Sequence, residues 1–466
     1  TPGTARDGAG DTVEVSGDTV VRVELDNGFV LWSRVDDLTR EYGTPPPGNR
    51  GDEGSGSGAW EFSRLAPQRA NGSERGLAGL AIRVLDFFGV DLVEATAGKL
   101  GKAFEEKRLG GHPPGLYRLD LASAFRLQAV ADDEALVADQ GPLLVFLHGT
   151  ASSTESSFGK LWDAANAAGG RLRAALAPAY GDRAYALEHR TLSESPIANA
   201  LALARRLPDG AEVHLVSHSR GGLVGELLAL SGCARLAEVL TPERLQTLFA
   251  ADRTLAPQLG LSPLADAAAR ARDDAYAADR QRLCELVALF GAKKLRVTRF
   301  VRVACPARGT TLASGRLDRW LSVLDHVVDA ATGNGLFADG LDFLLAVVKE
   351  RTDPRTLPGL EAMMPGSALT RLLHHPDLVT AADLSVIAGD AEGDTVWQKL
   401  KLLVTDWFYG ADHDLVVNTG SMSGGLRRPD GGARFRLDRG ARVDHFSYFR
   451  NADSVGWLLA GLTRGD

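Results

Sequence analysis

The chain has 466 residues, of which 44% are hydrophobic and 24% are charged, and its formal net charge is −8. This composition provides for a large buried core. Without a Lys/Arg-rich run, it argues against nucleic acid as a partner. No uninterrupted apolar run reaches the ~18 residues that a membrane span needs. The three cysteines, Cys233, Cys284 and Cys305, show no CxxC spacing, which favours buried free thiols over a disulfide framework or a zinc site.

The chain start bears on where the protein works. The sequence opens Thr1-Pro2-Gly3 without a methionine, so it leaves open whether a signal peptide has been removed. Free thiols are typical of a reducing compartment, and we therefore expect a cytoplasmic protein in preference to a secreted one. Nothing in the sequence sets the oligomeric state.

Residues 1–140 form an N-terminal extension with three kinds of segment. Alternating apolar residues flank Asp26-Asn27-Gly28, and an Asn-Gly pair between two such runs predicts a β-hairpin. The Gly-, Pro- and Ser-rich residues 43–58 predict a flexible linker. Residues 76–108 are predicted to be helical. A helix packed on the main domain is favoured over a membrane-surface helix, because its polar face is not rich in Lys or Arg.

Strand–helix alternation begins at about residue 141 and continues to the end of the chain. Residues 196–207 predict a helix that has Pro196 in its first turn. Short apolar runs predict strands at residues 143–147, 184–188, 212–216, 297–303 and 384–387. This alternation predicts an α/β fold over residues 141–466, with a mostly parallel central sheet and helices on both faces.

Two helical stretches interrupt the alternation, at about residues 234–295 and 316–373. The first follows the helix after the residue 212–216 strand, and we expect both of its ends near the carboxyl edge of the sheet, where α/β proteins bind ligands. It is therefore predicted to be a helical cap, or lid, whose apolar residues line an acyl site. The alternative is that these residues simply pack on the sheet.

The segment around Ser219 carries the strongest prediction of chemistry. Residues 213–224 predict a strand, a tight turn and a helix start, and the turn has the pattern Ser-x-Ser-x-Gly. In this context Ser219 is predicted to be the nucleophile on a strained turn, which requires small residues two positions before and after it. Ser217 and Gly221 meet that requirement, although Ser217 stands where glycine is usual. The backbone N–H of Arg220 is predicted to face a developing oxyanion.

A second donor for an oxyanion is predicted upstream, where the apolar strand at residues 143–147 ends in His148-Gly149-Thr150. Gly149 permits close approach of the backbone. His148 is predicted to fix the loop by hydrogen bonding as a buried, satisfied histidine. The role of Thr150 comes from the resemblance described below.

The base and the acid are expected downstream of Ser219, in the order acid and then histidine. Residues 433–439 alternate like a last strand, and His445 follows them on a loop before an apolar terminal helix. His445 is therefore the predicted base. For the acid, Asp414 is preferred and Asp412 is the alternative, because the apolar pair Val416-Val417 follows Asp414. Such an acid orients the imidazole of the base and stabilises its charged form.

These blocks together resemble the lipases and esterases of the α/β-hydrolase superfamily. They are His148-Gly149-Thr150, Ser217 to Gly222, Asp412 to Val417 and His445. The resemblance implies an α/β-hydrolase fold and hydrolysis of a small-molecule or lipid-like carboxylic ester without a cofactor. It also implies that the N–H of Thr150 completes the oxyanion hole with that of Arg220.

Other functions stay open at this point. The same triad serves acyl transfer and cleavage of thioesters or amides, and a non-catalytic interaction protein on a hydrolase scaffold is a further alternative. Asp390, Glu392 and Asp394 alternate on a glycine-containing loop, which is compatible with calcium, but the pattern is not an EF-hand, and no metal site is predicted. Contact with a membrane surface is not favoured.

Overall fold

The computed structural model of the protein describes residues 3–6, 16, 19–25, 30–42, 82–88, 97–136, 141–250, 266–310, 344–345, 347–348, 353–390, 417, 419–429, 431–439, 445 and 447–463. Two compact units divide the chain. The first comprises residues 1–100, 316–352 and 395–410, and the second comprises residues 101–315, 353–394 and 411–466. Within the described part of the chain, no helix combines the length and the apolar character needed to cross a bilayer.

The first unit contains a four-stranded antiparallel sheet in the order β1-β4-β2-β3. Its elements are β1 (Gly3–Arg6), β2 (Val20–Leu25), β3 (Val30–Arg34), α1 (Val35–Tyr42) and β4 (Ile82–Phe88). Strands β2 and β3 pair antiparallel, from Val20 opposite Arg34 to Glu24 opposite Val30, which confirms the predicted hairpin. The predicted linker at residues 43–58 lies outside the described residues.

The helix predicted over residues 76–108 is wrong for its middle part. Strand β4 pairs antiparallel with both β1 and β2, so it is an inner strand of the sheet. A short continuous apolar run fits a buried strand as well as a buried helix, and only its pairing partners decide between them. The later part of the prediction agrees with helix α2 (Ala97–Arg108).

The second unit is built on an eight-stranded sheet in the order β12-β11-β10-β9-β7-β8-β5-β6. Its strands are β5 (Gly115–Leu119), β6 (Leu127–Ala129), β7 (Leu143–Leu147), β8 (Ala184–Glu188), β9 (Glu212–His218), β10 (Arg296–Val303), β11 (Asp383–Asp390) and β12 (Ala433–Arg439). The six strands from β12 to β8 are parallel to their neighbours, whereas β5 and β6 are antiparallel. The sheet therefore begins at Gly115, upstream of residue 141, which is the predicted start of the hydrolase domain.

Helices cover both faces of this sheet, as predicted. The helices described in this unit are α3 (Thr154–Phe158), α4 (Ala167–Tyr180), α5 (Pro196–Arg206), α6 (Gly221–Ala229), α7 (Leu236–Val239), α8 (Pro242–Ala250), α9 (Asp266–Lys293), α10 (Pro358–Glu361), α11 (Ala368–Leu373), α12 (Thr419–Met422) and α13 (Ala452–Thr463). Short 3₁₀ turns lie at Gly159–Trp162, Gly181–Arg183, Leu230–Gly232 and Pro354–Thr356. On one face, α4 and α13 share an apolar core with the central strands. On the other, α6 packs on β7, β9 and β10, and α5 and α9 lie outside it.

The strand order reverses direction between β7 and β9, two strands that are neighbours in the sheet. From β7 the chain crosses to β8 on one side, and then returns to β9 on the other. All five residues of β7 are buried, as expected for a central parallel strand covered on both faces. Ligands of open α/β sheets bind outside the carboxyl ends of the strands at such a reversal. This strand order, together with the tight turn at Ser219 after β9, defines an α/β-hydrolase fold.

The predicted cap at residues 234–295 is helical where it is described, but both of its ends lie at the amino edge of the sheet. The hydroxyl of Ser231 accepts a hydrogen bond from the backbone N–H of Val297 at the start of β10 (3.4 Å). The carbonyl oxygen of Lys293 accepts one from the backbone N–H of Gly210 just before β9 (2.6 Å). The expectation that the ends lie at the carboxyl edge is wrong, because α6 runs antiparallel to the strands. Residues 251–265 lie outside the described part, and capping stays a prediction.

A buried charge cluster joins the sheet to the chain that precedes β12. Glu226 of α6, Arg302 of β10 and Arg428 are almost fully buried and form two ion pairs. Both carboxylate oxygens of Glu226 accept from Nη2 of Arg428 (3.2 and 3.3 Å), and the backbone N–H of Leu426 donates to Oε2 (3.2 Å). Arg302 also donates to the carbonyl oxygen of Met422 (2.8 Å). These bonds fix residues 422–428 against α6 and β10.

We expect Glu226→Ala to lower the free energy of unfolding by about 3–5 kcal/mol, because two guanidinium groups then stay buried without their carboxylate. The matched control is Glu238→Ala in α7, which removes the partner of Arg235 from an exposed ion pair and should leave stability near that of the wild type. Urea unfolding of the three proteins measures the difference. Equal stability of the two variants would contradict the assigned role.

Candidate active site

Ser219 lies at the carboxyl end of β9 with a backbone φ of 51°, in the left-handed region that non-glycine residues rarely adopt. Its N–H donates to the carbonyl oxygen of Val303 at the end of β10 (2.9 Å), and α6 begins two residues later. Backbone strain of this kind persists only where the surroundings enforce it, and it is typical of functional sites. Ser219 therefore has the backbone conformation of a nucleophile elbow.

The two small residues predicted around the elbow meet different constraints. A Cβ atom on Gly221 would overlap the carbonyl oxygen of Leu147 at the end of β7, so a side chain there would push the turn off the strand. Ser217 is fully buried on β9, and its hydroxyl has no hydrogen-bond partner among the described residues. Lack of space explains the glycine at position 221, whereas the hydroxyl of Ser217 forms no hydrogen bond with the described residues.

The loop after β7 lies directly against the elbow. A Cβ atom on Gly149 would come within 2.9 Å of Cβ of Ser219, so only glycine allows this approach. Thr150 follows, and the next residue, Ala151, has a φ of 49° and donates its N–H to Oγ1 of Thr191 (2.9 Å). The structure therefore brings the His148-Gly149-Thr150 segment and Ser219 together.

His148 is held through both ring nitrogens and is fully buried. Nδ1 lies 3.0 Å from the carbonyl oxygen of Gly149, and Nε2 lies between the backbone N–H of His189 (3.2 Å) and Oε2 of Glu188 (3.3 Å). Burial opposes ionisation of Glu188, but His148 and the N–H of Thr154 outweigh it and keep the pKa of this carboxyl below its usual value. These contacts fix the loop whose backbone faces Ser219.

The ring of His189 stacks on that of His148, with centroids 4.0 Å apart. Burial, together with the nearby positive charge of Arg220, lowers the pKa of His189 well below its usual value. This ring is therefore neutral near pH 7. It supports the loop by packing, without adding charge to the site.

The Arg220 side chain was not part of the sequence prediction, which concerned only its backbone N–H. Its guanidinium is fully buried and donates to the carbonyl oxygens of Glu194 (2.6 Å) and Gly359 (3.2 Å) and to Oδ1 of Asn199 (3.0 Å). Burial lowers its pKa to about 10, so it stays charged at neutral pH. Its three acceptors are distant in sequence, so the only sequence signal for this role is a charged residue between a buried strand and a buried helix.

Glu105 of α2 fixes the chain that packs beside the elbow. Its carboxylate, only 2% exposed, accepts hydrogen bonds from the backbone N–H groups of Thr191, Leu192 and Ser193, and from the hydroxyl of Ser193. The hydroxyl of Thr191 in turn accepts a hydrogen bond from the backbone N–H of Ala151. A helix outside the predicted hydrolase domain thus supports the predicted oxyanion loop.

His445 is buried and lies beside the elbow. Its ring centroid is 4.9 Å from that of His218, the residue before Ser219. The carbonyl oxygen of His445 is 2.8 Å from Nε2 of His218. The structure thus brings the predicted base to the turn that carries the predicted nucleophile.

Both candidates for the acid, Asp412 and Asp414, lie outside the described residues. The described chain resumes at the buried Val417, and Oγ1 of Thr419 donates to the carbonyl oxygen of Gly389 near the end of β11 (2.7 Å). The segment between Gly389 and Thr419 therefore returns to the strand end that it leaves. The possible calcium ligands Glu392 and Asp394 are also outside the described residues, and of Asp390 only the backbone is described.

Three solved structures illustrate what the chain is similar to. A lipase from Bacillus licheniformis in its mature form is 15% identical, with a TM-score of 0.33 over 69% of this chain and 92% of its own. Lipase 1 from Pelosinus fermentans is 16% identical, with a TM-score of 0.40 over 70% of this chain and 99% of its own. A thioesterase domain that cyclises the lipopeptide antibiotic surfactin is 10% identical, with a TM-score of 0.28 over 71% of this chain and 95% of its own.

These scores are low, and the fold assignment rests on the strand order and the elbow instead. A comparison with curated proteins gave no match. A family model matches residues 115–253 and 280–463, more than half of the chain, and its first matched residue is the first residue of β5. The chain therefore belongs to the family described as Domain of unknown function (DUF7379).

Proposed function

We propose that the protein is a serine hydrolase that cleaves carboxylic esters, with hydrophobic or lipid-like acyl groups. One observation carries the proposal: Ser219 has a strained φ of 51° at the strand-order reversal, in contact with the glycine of the His-Gly-Thr loop. A turn with no chemical role needs neither this strain nor this contact. The nearby His445 supports the proposal independently.

In the proposed first step, the hydroxyl oxygen of Ser219 attacks the carbonyl carbon of the ester while its proton passes to His445. The carbonyl electrons move onto oxygen, and the backbone N–H groups of Arg220 and Thr150 donate to this oxyanion. In other hydrolases, removal of one such donor costs about 3–4 kcal/mol of transition-state stabilisation. The buried contacts of His148 and of the Arg220 side chain support these N–H groups before the reaction begins.

The tetrahedral species then collapses, its carbon–oxygen bond to the alcohol breaks, and His445 returns the proton to the departing oxygen. An acyl-enzyme on Ser219 remains. Water attacks it, giving a proton to His445, and the second collapse releases the carboxylic acid and returns the proton to Ser219. In this proposal Asp414 accepts a hydrogen bond from the His445 ring and stabilises its charged form.

The acyl preference is proposed from apolar residues beside the oxyanion loop. Sδ of the buried Met363 lies 3.5 Å from Oγ1 of Thr150, and Leu360 and Met364 are buried on the same segment. An unbranched thioether adapts to apolar partners of varied shape. This segment is a suitable wall for an alkyl chain.

We expect Ser219→Ala to abolish ester hydrolysis and labelling by a fluorophosphonate probe, because the attacking oxygen is lost. Ser217→Ala is the matched control from the same turn and should retain most of the activity, since its hydroxyl has no partner among the described residues. Turnover of a p-nitrophenyl ester and mass spectrometry of the labelled peptide measure both effects. Wild-type turnover in a folded Ser219→Ala variant would refute the nucleophile.

The two candidate acids can be separated by substitution with asparagine. We expect Asp414→Asn to lower kcat by about 10³–10⁴-fold, because an amide cannot hold the imidazole in the required tautomer. Asp412→Asn should remain close to the wild type. Kinetics of both variants, with circular dichroism to show that they fold, give the answer. The opposite pattern would assign the acid to Asp412.

The substrate class can be tested with p-nitrophenyl esters from acetate to octanoate. We expect kcat/KM to rise towards medium chains, with up to ~0.8 kcal/mol of additional transition-state binding for each buried CH₂ group. Met363→Ser should reduce that rise, because it replaces an apolar contact beside Thr150 with a polar one. A strict preference for acetate in the wild type would contradict a hydrophobic acyl site.

A further inference from the structure

His218 stands between the two small-residue positions of the elbow, and its side chain is 3% exposed. Nε2 of its ring lies 2.8 Å from the main-chain carbonyl oxygen of His445. A carbonyl oxygen only accepts hydrogen bonds, so Nε2 carries a proton and donates it. The residue before the proposed nucleophile thus donates a hydrogen bond to the backbone of the proposed base.

The other nitrogen of the ring is also engaged. Nδ1 lies 3.3 Å from Oγ of Ser157, whose hydroxyl can donate to it, and the same Oγ accepts the backbone N–H of Gly149 (3.3 Å). A hydroxyl donor at Nδ1 favours the neutral tautomer with its proton on Nε2. This is the tautomer that the bond to His445 requires.

Aromatic side chains hold the plane of the ring. Phe158 and Phe449 meet the His218 ring edge-on, with centroids 6.5 and 5.5 Å away, and they meet each other at 4.8 Å. Phe449 follows His445 on the same loop, so the contact fixes this loop a second time. A ring enclosed in this way has little freedom to release the carbonyl of His445.

We propose that His218 is a positioning residue, which sets the distance between the hydroxyl of Ser219 and the ring of His445 by holding the His445 backbone. The inference rests on the proposed function. Ser219 adjoins His218 in sequence, so one hydrogen bond connects the elbow to the base loop. A displacement of about 1 Å at a reacting group can lower a rate by about 10²-fold.

Three variants separate the hydrogen bond from the shape of the ring. His218→Gln keeps an N–H donor near the position of Nε2, His218→Asn keeps a polar group only near Nδ1, and His218→Phe keeps the ring but no donor. We expect kcat to fall by about 10²-fold in the Asn and Phe variants with little change in KM, and His218→Gln to recover most of the loss. Kinetics on one p-nitrophenyl ester, with a thermal melt of each variant, measure this.

The outcomes distinguish the inference from the proposed function. If the wild type neither hydrolyses esters nor reacts with a fluorophosphonate at Ser219, the proposed function fails. If the wild type is active and a folded His218→Asn variant matches its kcat, the positioning role is overturned. It is also overturned if the Gln variant is folded and as slow as the Asn variant. If the Phe variant does not fold, the comparison between Gln and Asn decides.

Discussion

Close contact between the turn after β9 and the end of β7 is the constraint on which the site depends. A side chain at position 221 would overlap the carbonyl oxygen of Leu147, and one at position 149 would overlap the side chain of Ser219. Two adjacent parallel strands therefore end within van der Waals reach of each other, and the positive φ of Ser219 is what allows the chain to turn there. Any larger residue at either glycine would separate the two loops and remove one of the contacts that enforce the strained conformation of Ser219.

Buried polar groups extend this constraint outwards from the two strands. The guanidinium of Arg220, the carboxylate of Glu105 and the ring of His148 each bind main-chain groups of neighbouring loops. Such hydrogen bonds are strong in a low-dielectric interior, and a buried polar group that lost its partner there would destabilise the fold. Loops held by several of them keep their backbone N–H groups in fixed orientations, which is what the proposed stabilisation of an oxyanion requires.

The sequence predicted the features that local pattern determines. Apolar runs gave β7, β9 and β10, and the small residues around Ser219 predicted the elbow. The helix predicted at β4 is wrong because this sequence fits a buried helix as well as a buried strand, and only its pairing with β1 and β2 decides between them. The partners of Arg220 and Glu226 do not follow from the sequence, because each residue bonds to groups that are far away in the chain and that only the fold brings close. The ends of the residue 234–295 segment lie at the amino edge of the sheet because α6 runs antiparallel to the strands, a direction that the apolar pattern alone does not show.

The hydrogen bond between Thr419 and Gly389 bears on whether the fold tolerates insertions and deletions between these two residues. It brings together the two ends of a long connection between β11 and α12. For a chain whose ends are already joined, each doubling of length adds only about 0.6 kcal/mol to the entropy cost of closure. Changes in the length of this connection should therefore cost the eight-stranded sheet little closure entropy, whereas residues 395–410 belong to the first compact unit and depend on that unit instead.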